Sequence, residues 1–136
     1  MFRGLRVPMI AFVATLAVAA AAAQATTSWP SRSTPMHSTL GWFKATNAHN
    51  RHRLLSYVAP RARAQMGWAV PSRAWPKYTD LRCHRQRPPA YPKSVDMRCT
   101  FHESGPTAVV GTPVSFWDVT LRHTHTGWRI YDYGQG

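Results

Sequence analysis

The chain has 136 residues and carries 17 Lys and Arg against 5 Asp and Glu, a formal charge of +12. That length holds one domain and excludes two. Five carboxylates leave little material for acid–base chemistry, and the two cysteines, Cys83 and Cys99, lack the paired spacing of zinc motifs.

Residues 1–25 read as an export leader. Arg3 and Arg6 form a basic head, Val7 to Ala23 is apolar and uncharged, and Ala23-Gln24-Ala25 is a small-residue exit suited to cleavage before Thr26. The alternative is an uncleaved membrane anchor, but the run is alanine-rich and at the short edge of what spans a bilayer. The expected location is therefore outside the cell or at its envelope. Loss of Arg3 and Arg6 with the leader lowers the charge from +12 to +10. That charge suits anionic partners, although the predominance of arginine over lysine also fits the codon bias of a GC-rich genome. Residues 26–37, rich in Thr, Ser and Pro, read as a flexible lead, and residues 38–136 as the folded domain.

Helical signals come first. Ser38 or Thr39 can cap a segment opening at Leu40, where Leu40, Phe43 and Asn47 recur one turn apart. His49-Asn50 marks a break. Arg51 to Val58 resumes the helical pattern through Leu54, Leu55 and Val58, and Pro60 opens a third short segment over Arg61 to Met66.

Strand signals follow. Thr79 to Arg85 places Leu81 and Cys83 on one face. A proline-rich loop, Arg87 to Pro92, separates it from Ser94 to His102, where Val95, Met97, Cys99 and Phe101 alternate with Asp96, Arg98, Thr100 and His102. Gly105 to Pro113 is a long connection with a short apolar run, Ala108 to Val110. Val114 to His123 sets Trp117, Val119 and Leu121 inward, Thr124 to Gly127 turns, and Trp128 to Tyr133 is the last strand. Helices followed by antiparallel strands predict an α+β fold with the helices on one face of the sheet. If the two cysteine-bearing strands pair around the proline loop, Cys83 and Cys99 face each other, and an exported protein matures where such a bridge persists.

Trp42-Phe43-Lys44-Ala45-Thr46-Asn47-Ala48-His49-Asn50 resembles the first-helix motif of the superfamily named after nuclear transport factor 2, the cone-shaped cystatin-like α+β fold. Ser115 to Leu121 with Gly127 to Asp132 resembles its closing hairpin, in which a tryptophan opens the last strand. The resemblance spans Ser38 to Gly136 and is to small exported members from actinobacteria. It implies a strongly curved antiparallel sheet wrapped round the helix, leaving a conical pocket; Trp42, Phe43, Trp117, Trp128 and Ile130 are candidates for either that pocket or the core. Enzymes of the ketosteroid-isomerase and polyketide-cyclase types place an Asp with a Tyr or His in that pocket. The resemblance also implies a homodimer through the sheet, here bearing Phe116 and Tyr131 or Tyr133.

Candidate chemistry is thin. Asp132 shares parity with Trp128 and Ile130, which would turn it into the pocket as a catalytic base, whereas Asp96 and Asp118 fall on the polar face. No complete catalytic set of the family can be matched. His123 and His125 have the spacing of two ligands on one strand face, and His84 and His102 could sit on neighbouring strands. However, His125 falls in the turn and no carboxylate accompanies His123 and His125 in sequence, so no metal is expected, and no cofactor either. Arg73, Lys77, Arg82, Arg85, Arg87 and Lys93, interleaved with Trp75, Tyr78 and Tyr91, form a basic stretch. The reading that follows is an exported, non-enzymatic cone-fold binding or interaction module. One alternative is a small isomerase- or cyclase-type enzyme using the pocket. The other is an electrostatic binder of an anionic envelope polymer or lipid surface. A small apolar ligand in the pocket is a candidate partner; export counts against nucleic acid.

Overall fold

A computed structural model of the chain describes residues 28–64, 77–105 and 115–134. Two helices, α1 (Pro35–Asn47) and α2 (Arg51–Tyr57), precede four strands, β1 (Lys77–Gln86), β2 (Ser94–Ser104), β3 (Ser115–Thr124) and β4 (Gly127–Gly134). The strands lie in the order β1-β2-β3-β4, every neighbouring pair antiparallel. The helices pack on the sheet, α1 reaching β1, β2 and β4. This is the α+β arrangement that helices followed by hairpin-linked strands predict.

Helix α1 begins earlier than the cap signals at Ser38 and Thr39 indicate. Thr34 is the cap, its Oγ1 accepting from His37 N at 3.1 Å, and Pro35 occupies the first turn. Ser38 and Thr39 are instead fully buried inside the helix. Their hydroxyls are satisfied by backbone carbonyls: Ser38 Oγ donates to Trp128 O at 2.8 Å and Thr39 Oγ1 to Pro35 O at 2.8 Å. The buried face therefore mixes polar with apolar residues (Ser38, Thr39, Trp42, Phe43, Ala45, Thr46), which a purely apolar stripe misses. His49, at φ 51°, ends the helix, and Asn50 caps α2 by accepting from Arg53 N at 3.0 Å. Beyond α2, Pro60–Ala64 forms turns, with Ala62 N donating to Ala59 O at 2.9 Å; Gln65 and Met66 lie outside the described residues.

Part of the segment expected to be a flexible lead is bound to the domain. Pro35 to His37 are helical, Trp128 N donates to Arg32 O at 2.9 Å, and Tyr57 Oη donates to Pro30 O at 2.6 Å. Trp29 packs against the core beneath two cations, Lys44 Nζ at 5.1 Å and the Arg53 guanidinium at 5.2 Å from its ring centre. Together with Ala59 N, which donates to Ile130 O at 2.8 Å, Arg32 covers the outer edge of β4. The first half of this edge strand is thereby withdrawn from pairing with another chain.

Register fixes the faces. Cys83 stands opposite Cys99, and Cys99 opposite Trp117. The expected disulfide joins Cys83 to Cys99, with no free cysteine in the chain. Val95, Met97, Cys99, Phe101, Val119, Leu121 and Ile130 are buried under the helices. Two irregularities reset the alternation: one between Thr79 and Arg82, where Asp80 takes φ 53°, and one opposite Thr120 and Leu121, where Tyr131 is the extra residue of β4. The loop from Arg87 to Lys93 contains a cis Arg87–Pro88 bond and folds back over the outer face, where Ala90 N donates to Asp96 Oδ2. The connection holding Ala108 to Val110 lies outside the described residues, as does Val114.

Candidate functional site

Between α1 and the sheet the space is filled by aromatic rings. Trp42 meets Phe43 edge-on at 4.9 Å and Tyr133 at 4.9 Å, Tyr78 meets Phe101 at 4.7 Å, and Trp117 stacks on Tyr133 at 4.5 Å. Of the residues expected in the pocket or the core, Trp42, Phe43 and Ile130 are fully buried core, while Trp117 and Trp128 are half-buried beside them. Fully burying one such ring contributes roughly 1.5–3 kcal/mol. Displacing two or three to admit a ligand would remove much of a small domain's stability of about 5–15 kcal/mol. Burial pushes the phenols of Tyr78 and Tyr133 far above their ordinary value, the Glu103 charge adding at Tyr78. These hydroxyls stay protonated and cannot serve as bases at neutral pH.

Asp132 is not in this interior. Parity with Ile130 would have pointed it inward, but the extra residue at Tyr131 shifts the phase, so Ile130 and Tyr133 are buried and Asp132 is exposed. Its Oδ1 accepts from Tyr133 N at 2.9 Å, and it lines a shallow outer groove with Ala90, Tyr91, Asp118 and Thr120. The same shift takes Tyr133 off the outer face. Phe116 and Tyr131 remain there, each under a guanidinium: Arg98 at 4.7 Å and Arg122 at 5.0 Å.

The other carboxylates are engaged on the sheet. Asp118 receives a forked pair from Arg98, at 2.8 and 2.7 Å. Asp96 is on the polar face as expected, yet buried, because the proline loop covers it and Thr120 Oγ1 donates to it at 2.8 Å. Asp80 lies 4.0 Å from His102, in a cleft with Arg82 and Thr100.

The basic stretch does not make one surface. Arg82 pairs with Thr100 and Arg85 with Met97, so the two point to opposite faces of β1. Lys77 begins that strand while Arg87 and Lys93 lie in the loop past its other end, and Arg73 lies outside the described residues. His84 and His102 are exposed on β1 and β2, His123 packs edge-on against Trp128 at 5.3 Å, and His125 sits in the turn. Among the described residues no three His, Cys, Asp or Glu side chains come together as metal ligands.

A concentration of charge that sequence reading misses lies at the β3–β4 turn. Two clefts meet at Thr126. One, of about 420 Å³, is lined by Pro60, Arg61, Thr124, His125, Thr126, Arg129 and Tyr131. The other, of about 430 Å³, includes Arg32, Arg53, Tyr57 and Gly127. These arginines come from the lead, α2, the turn after it and β4, so no contiguous motif announces them. Arg129 is held by its Nη2, which donates to Thr126 Oγ1 at 2.9 Å, and Arg32 Nε donates to Thr126 O at 3.3 Å. Burial and the nearby charges of Arg32 and Arg63 push the Arg129 guanidinium below its ordinary value. No carboxylate lines either cleft.

No family model, no curated protein and no solved structure matches this chain. Among the described residues no helix is long and apolar enough to cross a membrane, and Val7 to Ala23 lies outside them.

Proposed function

We propose that this chain is an exported binding module of the nuclear transport factor 2-like superfamily that works through its surface and not through an interior pocket. The observation that carries this reading is the ring-filled space between α1 and the sheet, where an isomerase or cyclase of that superfamily would keep its substrate. The outward position of Asp132 removes the one carboxylate that parity offered as an interior base. The Cys83–Cys99 bridge supports export, since such bonds persist in oxidising compartments. The test is titration of the purified protein with an apolar, steroid-sized β,γ-unsaturated ketone, read by tryptophan fluorescence and by ultraviolet absorbance of the conjugated product. We expect neither saturable quenching nor isomerisation. Saturable binding with quenching of the interior tryptophans would contradict the reading.

Among surface partners, an anion is favoured by the arginine-lined clefts at the β3–β4 turn. A protein whose charge stays at +10 once Arg3 and Arg6 leave with the leader attracts polyanions at long range, and the clefts offer such a partner a defined seat.

A further inference from the structure

The five side-chain carboxylates of the whole chain are Asp80, Asp96, Glu103, Asp118 and Asp132, and all are among the described residues. Asp80 faces His102, Asp96 takes Ala90 N and Thr120, Asp118 takes Arg98, Asp132 takes the Tyr133 amide, and Glu103 lies beside Tyr78. Among the described residues none of the five pairs with Arg32, Arg53, Arg61, Arg63 or Arg129, none lines either cleft at the turn, and the remaining residues contain no Asp or Glu. Elsewhere on the sheet an arginine has its partner: Arg98 is clamped by Asp118. At the turn, arginines instead gather against one another.

Several details indicate a seat and not a solvated fringe. Arg129 Nε is buried and has no hydrogen-bond partner among the described residues. A charged donor left unmet in a buried position is costly unless something accepts from it. Thr126 brings a hydroxyl to the same rim and is already fixed by Arg32 and Arg129. The turn carrying it is braced by Thr124 Oγ1, which donates to Gly127 O at 2.8 Å. Gly127, at φ 102°, lies so close to Arg32 O that a Cβ there would clash, so the backbone of the lead and the turn are locked together. Arginine forks on a braced turn match the oxygen spacing of phosphate, which accepts paired N–H donors and carries more charge per group than a carboxylate.

Resting on the surface-binding reading above, we infer that the cleft formed by Arg61, Arg129, Thr124 and Thr126, with Arg32 and Arg53 on the adjoining rim, is a binding site for a phosphate-bearing anion. Two sources share that chemistry: free condensed phosphate and the phosphate headgroup of an anionic lipid. A multiply charged anion relieves the mutual repulsion of the arginines more than a monoanion does, so affinity rises with the number of phosphates and falls with salt.

The test is calorimetric titration of the purified protein with inorganic tripolyphosphate at 25 and 300 mM salt, beside flotation with phosphatidylglycerol vesicles. The variants are Arg61→Gln, Arg61→Gln with Arg129→Gln, and the control Arg82→Gln with Arg85→Gln. Arg61 is exposed in a turn, so its single variant reports even where the double variant fails to fold. We expect saturable tripolyphosphate binding, weakened about tenfold by Arg61→Gln and by high salt and unchanged in the control. Flotation that follows the same variants identifies a lipid headgroup as a source; tripolyphosphate binding without flotation identifies free phosphate. Equal weakening in the Arg82/Arg85 control would overturn the site while leaving diffuse anion binding intact. No binding of either probe would overturn both the site and anion binding by this surface. Ketone binding in the fluorescence titration would instead overturn the surface reading, and the two failures are thereby distinct.

Discussion

Asn47 holds the main chain of Tyr78 from both sides: its Nδ2 donates to Tyr78 O at 2.7 Å and its Oδ1 accepts from Tyr78 N at 2.9 Å. The last residue of α1 thereby pairs with β1 as a neighbouring strand would. It also satisfies the backbone of Tyr78, whose ring is buried against Phe43 and Phe101. Asn47→Ala removes both bonds and is expected to cost about 1–3 kcal/mol. Asn47→Asp keeps the acceptor but sets a carboxylate oxygen against Tyr78 O, so it should cost at least as much. Urea unfolding followed by circular dichroism checks both, and a loss under about 0.5 kcal/mol would show that water replaces the side chain.

The Cys83–Cys99 bridge spans a sequence separation of 16 residues. Closing a loop of that size stabilises a chain by about 3 kcal/mol in the entropy treatment. The Cys83→Ala, Cys99→Ala double variant should lose roughly that amount, measured by the same unfolding experiment. The rest of the core stays in place, so a folded baseline is expected in the absence of urea.

Gly41 lies where α1 and α2 touch. A Cβ at this position would fall within the ring and hydroxyl of Tyr57, which is itself tied to Pro30 O. Gly41→Ala should therefore destabilise by about 1–3 kcal/mol despite alanine's better helix propensity. At Gly134 nothing among the described residues lies within 4 Å of an added Cβ, and Gly134→Ala should change stability by under about 0.5 kcal/mol. Thermal melts of the two variants side by side give the comparison.

Tyr78 and Tyr133 have folded-state phenols raised above the ordinary value near 10, chiefly by burial. A group raised on folding contributes stability that is fully present below its unfolded pKa and is lost as pH rises above it. The melting temperature should thus hold steady across neutral pH with respect to these groups and fall once pH exceeds about 10. An absorbance titration at alkaline pH should leave both tyrosines unionised until the protein unfolds. Smooth ionisation of all five tyrosines in the folded state would refute the burial of these two rings.

The strands were legible because alternation is strict where one face is buried: Val95, Met97, Cys99 and Phe101 point inward as their spacing indicates. The disulfide was legible for the same reason. What the spacing could not disclose was the extra residue at Tyr131, which has no glycine or proline to mark it and which turns Asp132 out. The start of α1 was obscured because Ser38 and Thr39, good capping residues by type, are buried and bonded to carbonyls instead. Asp96 was placed on the right face, but its cover comes from a loop whose path no local pattern encodes. The arginine cluster was visible only as an excess of 17 basic over 5 acidic residues, because its members come from four separated segments.

The most direct test of surface binding at the β3–β4 turn is amide chemical-shift mapping of the protein with added tripolyphosphate. Saturable shifts are expected around Arg32, Arg53, Arg61, Thr124, Thr126 and Arg129, with Val119, Leu121 and Tyr133 unmoved. Shifts running along the interior residues, or spread evenly over β1, would contradict binding at this turn.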